Sequence, residues 1–259
     1  MTIVSNNIKY LTTGVIYADD LEYLSKNVIY LKGFYFEGDL PEFPYFPCLE
    51  YLRINRLRNK HCKLHFNKLS EKLKTFICYD KFSMGCPFPK HLENLSCNLD
   101  KDLTYLTNLR SLTLKANYSN DFIPDNKLFP KTILKSLNIL HSLESFYLTV
   151  PDGVKCLYLL DYTINIKYPN SLERIDIRDS IHRDIYMTFP VSVKTLRFNR
   201  THNEYEPIID SYEYYDIPPT IDTIEFVANM DTTNHYKKFP NTIKKIIYKN
   251  RLKIILLTI

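Results

Sequence analysis

One pattern returns along this chain at short intervals: an aromatic residue, a proline, and then apolar residues at fixed offsets. It reads FPKHLENLSC at residues 88–97, YPNSLERIDI at 168–177, FPVSVKTLRF at 189–198 and FPNTIKKIIY at 239–248. With the proline as position zero, apolar residues follow at plus three, plus six and plus eight. Pro89 leads to Leu92, Leu95 and Cys97, and Pro151 to Val154, Leu157 and Leu159. Pro169 leads to Leu172, Ile175 and Ile177, and Pro190 to Val193, Leu196 and Phe198. Pro218 leads to Ile221, Ile224 and Phe226, and Pro240 to Ile243, Ile246 and Tyr248. Other units keep the apolar spacing without the proline, such as LSEKLKTFIC at 69–78 and LSKNVIYLKG at 24–33. FPCLEYLRI (46–54) and LTNLRSLTL (106–114) read as one residue tighter, and FPKTILKSLNI (129–139) as one looser. NNIKYLTT (6–13) is the most degenerate unit. The mean spacing is about 21 residues, inside the range of short solenoid repeats.

The offsets have a physical meaning. Residues at plus six and plus eight share one face of a strand, and those at plus five, seven and nine share the other. Proline at position zero costs no ladder hydrogen bond, because the strand has not begun, and it holds the preceding residue extended. One such turn cannot bury its own apolar face; stacked turns share a continuous core and a parallel sheet. The pattern predicts a single elongated domain, mainly β or α/β: a solenoid with a parallel concave sheet and short irregular convex segments. Residues 1–24 read as an N-terminal cap or degenerate first turn, 25–250 as repeats, and 251–259 as a C-terminal cap. NEYEPIIDSYEYYD (203–216) reads as an insertion, and LHSLESFYL (140–148) as the outer side of its turn.

Composition narrows the function classes. Five glycines are few for loops that cradle phosphates with backbone N–H groups. A net charge of +5 permits a nucleic-acid partner without demanding one. No stretch reads as a signal peptide, and no apolar run approaches the roughly 20 residues that span a bilayer. Six cysteines without paired spacing suit reduced thiols. The expectation is an intracellular, cytoplasmic protein without membrane contact.

LRSLTLKAN (109–117) and IDTIEFVAN (221–229) resemble the leucine-rich repeat pattern L-x-x-L-x-L-x-x-N, with Ile and Phe substituted in the second. The openings of FPNTIKKIIY, IPPTIDTIEF and YPNSLERIDI resemble the FNIP repeat, a relative of leucine-rich repeats of about 22 residues. The resemblance covers residues 24–250 and implies a solenoid. Many proteins of that family carry an N-terminal F-box that recruits a ubiquitin ligase, but the first 45 residues here show no F-box-like helical pattern.

In such a solenoid the odd positions of each strand line the concave face. The candidate binding residues are Tyr30, Tyr51, Arg53, Tyr79, Asn98, Lys115, Tyr158, Arg174, Asp176, Arg178, Arg197, Lys245 and Lys249, with a basic bias toward the C-terminal half. Tyrosine and arginine offer large contact area and donors that reach a partner. The function expected is a non-enzymatic protein–protein interaction scaffold. The alternatives are a ubiquitin-ligase substrate receptor without its own F-box, or a nucleic-acid-binding repeat protein using the basic run RINRLRNKHCK (53–63). No catalytic residue, metal or cofactor is assigned. The cysteines between 48 and 97 and His61, His65 and His91 lack zinc-knuckle spacing, and Cys62 with His65 lacks an orienting third group. The acidic residues of 203–216 lack the ligand spacing of a calcium loop.

Overall fold

Among the described residues, the rungs whose openings can be seen start from a reverse turn. The carbonyl at position zero accepts the N–H at plus three: Pro89 from Leu92 at 3.0 Å, Pro190 from Val193 at 3.1 Å, Pro218 from Ile221 at 3.1 Å. The same turn opens the two apparently tight units, at Phe46 (Leu49 N–H, 3.1 Å) and Leu106 (Leu109 N–H, 3.4 Å). Counted from these residues the core offsets are again three, six and eight. Neither unit is shortened. In the first, the proline has moved one place on, to the second turn position, where its fixed φ also fits.

A computed structural model describes residues 8–38, 42–57, 64–79, 82–97, 102–115, 135–140, 146–159, 164–178, 189–199, 217–227, 241–249 and 254–258. The insertion expected at 203–216 and most of the looser unit at 129–139 lie outside these residues. The chain forms two compact units, one holding the described residues up to Lys115 and the other those from Lys135 onward.

The first unit contains β1 (Tyr10–Tyr17), a single helical turn α1 (Ala18–Leu21), β2 (Tyr30–Glu37), β3 (Tyr51–Leu57), β4 (Leu64–Phe66), β5 (Thr75–Cys78), β6 (Phe82–Met84), β7 (Asn94–Cys97) and β8 (Ser111–Lys115). Strands β1, β2, β3, β5, β7 and β8 form one parallel ladder in that order. The second unit contains β9 (Ser136–Leu140), β10 (Phe146–Thr149), β11 (Cys156–Leu159), β12 (Ile164–Lys167), β13 (Arg174–Arg178), β14 (Thr195–Asn199), β15 (Thr223–Val227), β16 (Lys245–Lys249) and β17 (Ile254–Thr258). Here β9, β11, β13, β14, β15 and β16 run parallel, and β17 adds antiparallel to β16. The architecture is mainly β, a parallel-strand solenoid.

The apolar offsets become stacked columns. Leu31, Leu52, Phe76, Leu95 and Leu112 are fully or almost fully buried in successive strands of the first ladder. Leu137, Leu157, Ile175, Leu196, Ile224 and Ile246 do the same in the second. Each such burial is worth about 1.5–3 kcal/mol. The side of the turn away from the main ladder is short, as expected, but in two places it is regular strand and not irregular: β4 pairs with β6 and β10 with β12, both parallel. LHSLESFYL therefore contributes β10 and not a main-ladder strand. In the first unit this outer layer closes the core with aromatics. Phe66 on β4 meets Phe76 on β5 edge-on at 5.4 Å, and the pre-proline Phe88 meets Phe76 at 5.3 Å.

Two further devices fix the register. Gly33 occupies the inward plus-eight position of β2, where a Cβ would lie 2.6 Å from Ile16 Cγ1; the space belongs to the β1 side chain. At plus four, just before the main-ladder strands β3 to β8 and β11 to β16, charge alternates from rung to rung. The first unit reads Glu50, Lys74, Glu93, Arg110; from Lys155 the second reads Glu173, Lys194, Asp222, Lys244. Lys74 Nζ meets Glu50 Oε2 at 3.0 Å and Lys155 Nζ meets Glu173 Oε1 at 2.7 Å. The hydrogen bond to the glutamate, then its charge, raises both lysine pKa values.

Candidate binding face

The outward positions of β1–β3 carry tyrosine, then threonine or a cation. Tyr10 pairs with Tyr30, and Tyr30 with Tyr51, in the register of three consecutive strands. Strand spacing of about 4.8 Å is close to a ring-stacking distance. The Tyr30 and Tyr51 rings accordingly stack at 4.3 Å and 12°, while Tyr10 tilts at 6.5 Å and is 70% exposed. Two residues on, Thr12, Lys32 and Arg53 are in register. Arg53 Nε donates to Asn55 Oδ1 at 2.7 Å. Lys32 Nζ lies 5.5 Å from the ring centre of Phe34, itself 47% exposed. Among the described residues, no carboxylate stands within ion-pair distance of Lys32 or Arg53. Burial, then the charge and hydrogen bond of Tyr51, raises the Tyr30 pKa; Arg53 and Thr12 act in the opposite direction.

The outward positions of β13–β15 are built differently. Asp176, Arg197 and Glu225 are opposite one another in register, and Arg174 stands beside them. Arg174 Nε donates to Asp176 Oδ1 at 2.6 Å, and Arg197 Nη1 to Asp176 Oδ2 at 3.5 Å. Arg174 Nη2 also reaches Glu225 Oε2 at 3.5 Å, with Arg197 Nε 3.8 Å from the same oxygen. The two guanidinium groups thus interleave with two carboxylates, and Asp176 is only 3% exposed. Opposite charges across neighbouring strands are the favourable arrangement, and the cluster has no net charge. Burial lowers the Arg174 pKa, but the Asp176 hydrogen bond and charge outweigh it and the net shift is upward. Tyr158, opposite Asp176, is raised by burial first and by the Asp176 charge second. Burial likewise raises the Cys156 thiol.

The candidate residues therefore separate. Tyr30, Tyr51 and Arg53 come together on one accessible patch. Arg174, Asp176 and Arg197 also come together, but their charges pair with one another even though Arg197 Nε makes no hydrogen bond, and this cancels much of the basic bias expected of the C-terminal half. Tyr158 is half-buried beside them, Tyr79 follows β5 half-buried, and Lys245 is exposed opposite Thr223. Asn98 and the side chains of Lys115, Arg178 and Lys249 lie outside the described residues. Tyr10, Lys32 and Phe34 were not among the candidates. Their signal was present: counted from Ser25, the positions plus five, seven and nine are Tyr30, Lys32 and Phe34. Gly33 at plus eight hid it, since the unit shows no second apolar core residue.

The chemistry discounted from spacing can be placed in part. Both ring nitrogens of His65 are engaged on the outer layer: Nδ1 is hydrogen-bonded with Ser83 Oγ at 2.7 Å, and Nε2 with Asn67 Oδ1. Cys78 and Cys97 are buried core residues. Among the described residues no group of three or more His, Cys, Asp or Glu is placed to hold a metal ion. No described helix is long and apolar enough to cross a membrane. No protein-family model matches the chain, and no curated protein and no solved structure is detectably similar to it.

Proposed function

We propose that the chain is a non-enzymatic repeat scaffold that binds a protein partner on the outward face of its parallel strands, and that its turns are leucine-rich repeats with FNIP-like openings. The observation that carries this reading is the patch on β1–β3, where stacked tyrosines and two cations face outward with no carboxylate among the described residues to satisfy them. Aromatic and arginine side chains dominate binding energy where a partner desolvates them. A ubiquitin-ligase receptor would be a special case, using the same face for its substrate.

A photo-crosslinking residue tests the reading. Placed at Tyr51 it is expected to trap a discrete protein in the native cell, whereas the same residue at the exposed Ser83 of the outer layer is not. A ligase adaptor among the trapped proteins selects the receptor variant. Trapping from position 83 with none from position 51 would move the binding surface off this face.

A further inference from the structure

We infer that the partner segment that docks on β1–β3 is acidic, placing an Asp or Glu carboxylate between Lys32 and Arg53; this rests on the scaffold reading and specifies its chemistry. The second unit shows that one carboxylate can bridge two cations of neighbouring strands, although in another register. There Arg174 and Arg197 lie diagonally, and Asp176, opposite Arg197, gives Oδ1 to the first and Oδ2 to the second. In the first unit Lys32 and Arg53 are directly opposite on neighbouring strands, and among the described residues no carboxylate lies within ion-pair distance of either. Like charges directly opposite are unfavourable, and strands about 4.8 Å apart place the two cations within reach of one carboxylate. Arg53 spends Nε on Asn55, and its remaining guanidinium donors suit a carboxylate.

The aromatic residues select a peptide over a nucleic acid. Single-stranded nucleic acid binds by stacking bases on open ring faces. The facing sides of Tyr30 and Tyr51 already cover each other at 4.3 Å, so no base enters between them. What such a stack offers a partner is its ring edges and hydroxyl groups, which donate to carboxylates and peptide carbonyls. Phe34 adds apolar contact beside Lys32. Acidic side chains interspersed with apolar ones match both features.

Fluorescence anisotropy of the full chain with fluorescein-labelled hexaglutamate, at about 50 mM salt, where surface charge is weakly screened, provides the test. Binding is expected, and Lys32→Gln/Arg53→Gln should weaken it about tenfold or more. Removing the same charge elsewhere, by Lys194→Gln/Lys244→Gln, should leave affinity within about twofold, and Lys32→Arg/Arg53→Lys should retain binding. Circular dichroism confirms that each variant is folded. No binding by the unaltered chain, equal binding by the Lys32/Arg53 variant, or tighter binding of oligouridylate of equal charge each overturns the inference. Trapping a protein at position 51 without hexaglutamate binding sinks the acidic partner and spares the scaffold. Hexaglutamate binding with no protein trapped does the reverse.

Discussion

The outward strands β1–β3 and β13–β15 follow one repeat rule and end in opposite electrostatic conditions. On β13–β15 the register sets acid against base, so the two arginines are spent on Asp176 and Glu225. On β1–β3 the register sets tyrosine against tyrosine and lysine against arginine, so the charge faces outward. An outward position in a solenoid is therefore not yet an available one. Availability depends on what the neighbouring rung places beside it, and residue type alone ranks the two regions the wrong way round.

The largest expected effect tests the closed cluster. Asp176→Ala leaves two guanidinium groups with Glu225 as their shared carboxylate. Removing one partner of a buried ion pair costs about 3–5 kcal/mol; because both arginines keep some exposure, about 2–4 kcal/mol is expected here. Arg53→Gln should change stability by no more than about 0.5 kcal/mol, as surface substitutions usually do. Urea unfolding of the two variants settles the contrast. If both shift the midpoint equally, the distinction between a spent cluster and an available patch fails.

Gly33→Val should come next, at about 1–3 kcal/mol, the usual cost of overpacking. The new side chain would meet Ile16 where a Cβ alone already falls 2.5 Å from Cδ1. Gly33 directly follows Lys32, which is opposite Arg53 in the register, so the same variant should also weaken binding at that pair. Ile16→Ala combined with Gly33→Val is expected to recover part of the stability, and the coupling in that double-mutant cycle locates the strain. Additive losses would mean that the close approach of β1 and β2 does not set the patch.

Much of the fold was legible because it rests on a period. Leu157, Ile175, Leu196 and Ile224 occupy columns that the plus-six offset names without help. The error in FPCLEYLRI arose from treating proline as the origin, when the turn hydrogen bond to Phe46 is the true one. The site was less legible, because it depends on which residues become neighbours across rungs about 21 positions apart. Tyr30 stacking on Tyr51 follows from an exact register. So does Asp176 closing on Arg197, and a one-residue slip would turn each to the opposite face. The alternating plus-four row could have been read by aligning rungs on the turn, since Glu50, Lys74, Glu93 and Arg110 then stand in one column.

Alkaline titration adds a smaller contrast. Burial pushes Tyr168 well above its ordinary range, and burial followed by the Asp176 charge raises Tyr158. In these groups the neutral form is favoured in the folded chain, which therefore holds protons that the unfolded chain has lost. Their contribution is complete below the unfolded tyrosine value of about 10 and disappears as pH climbs from there toward the folded value. Stability should fall above about pH 10, and Tyr168→Phe should flatten that fall. Identical alkaline profiles for the unaltered chain and Tyr168→Phe would mean that burial of Tyr168 does not hold its proton.

The smallest effects come from the plus-four row, where the two units again differ. Exposed ion pairs contribute little individually, so Lys74→Gln and Lys155→Gln should leave the unfolding midpoint unchanged. Charge reversal separates them. Lys74 stands between Glu50 and Glu93, so Lys74→Glu would place three carboxylates in consecutive rungs. Lys155 stands between Lys135 and Glu173, so Lys155→Glu exchanges one favourable neighbour for another. The first reversal should lower the midpoint at low salt and recover near 1 M, where charges are screened within about 3 Å; the second should be close to neutral throughout. Equal behaviour of the two reversals would show that alternation along this row has no part in holding the rungs in register.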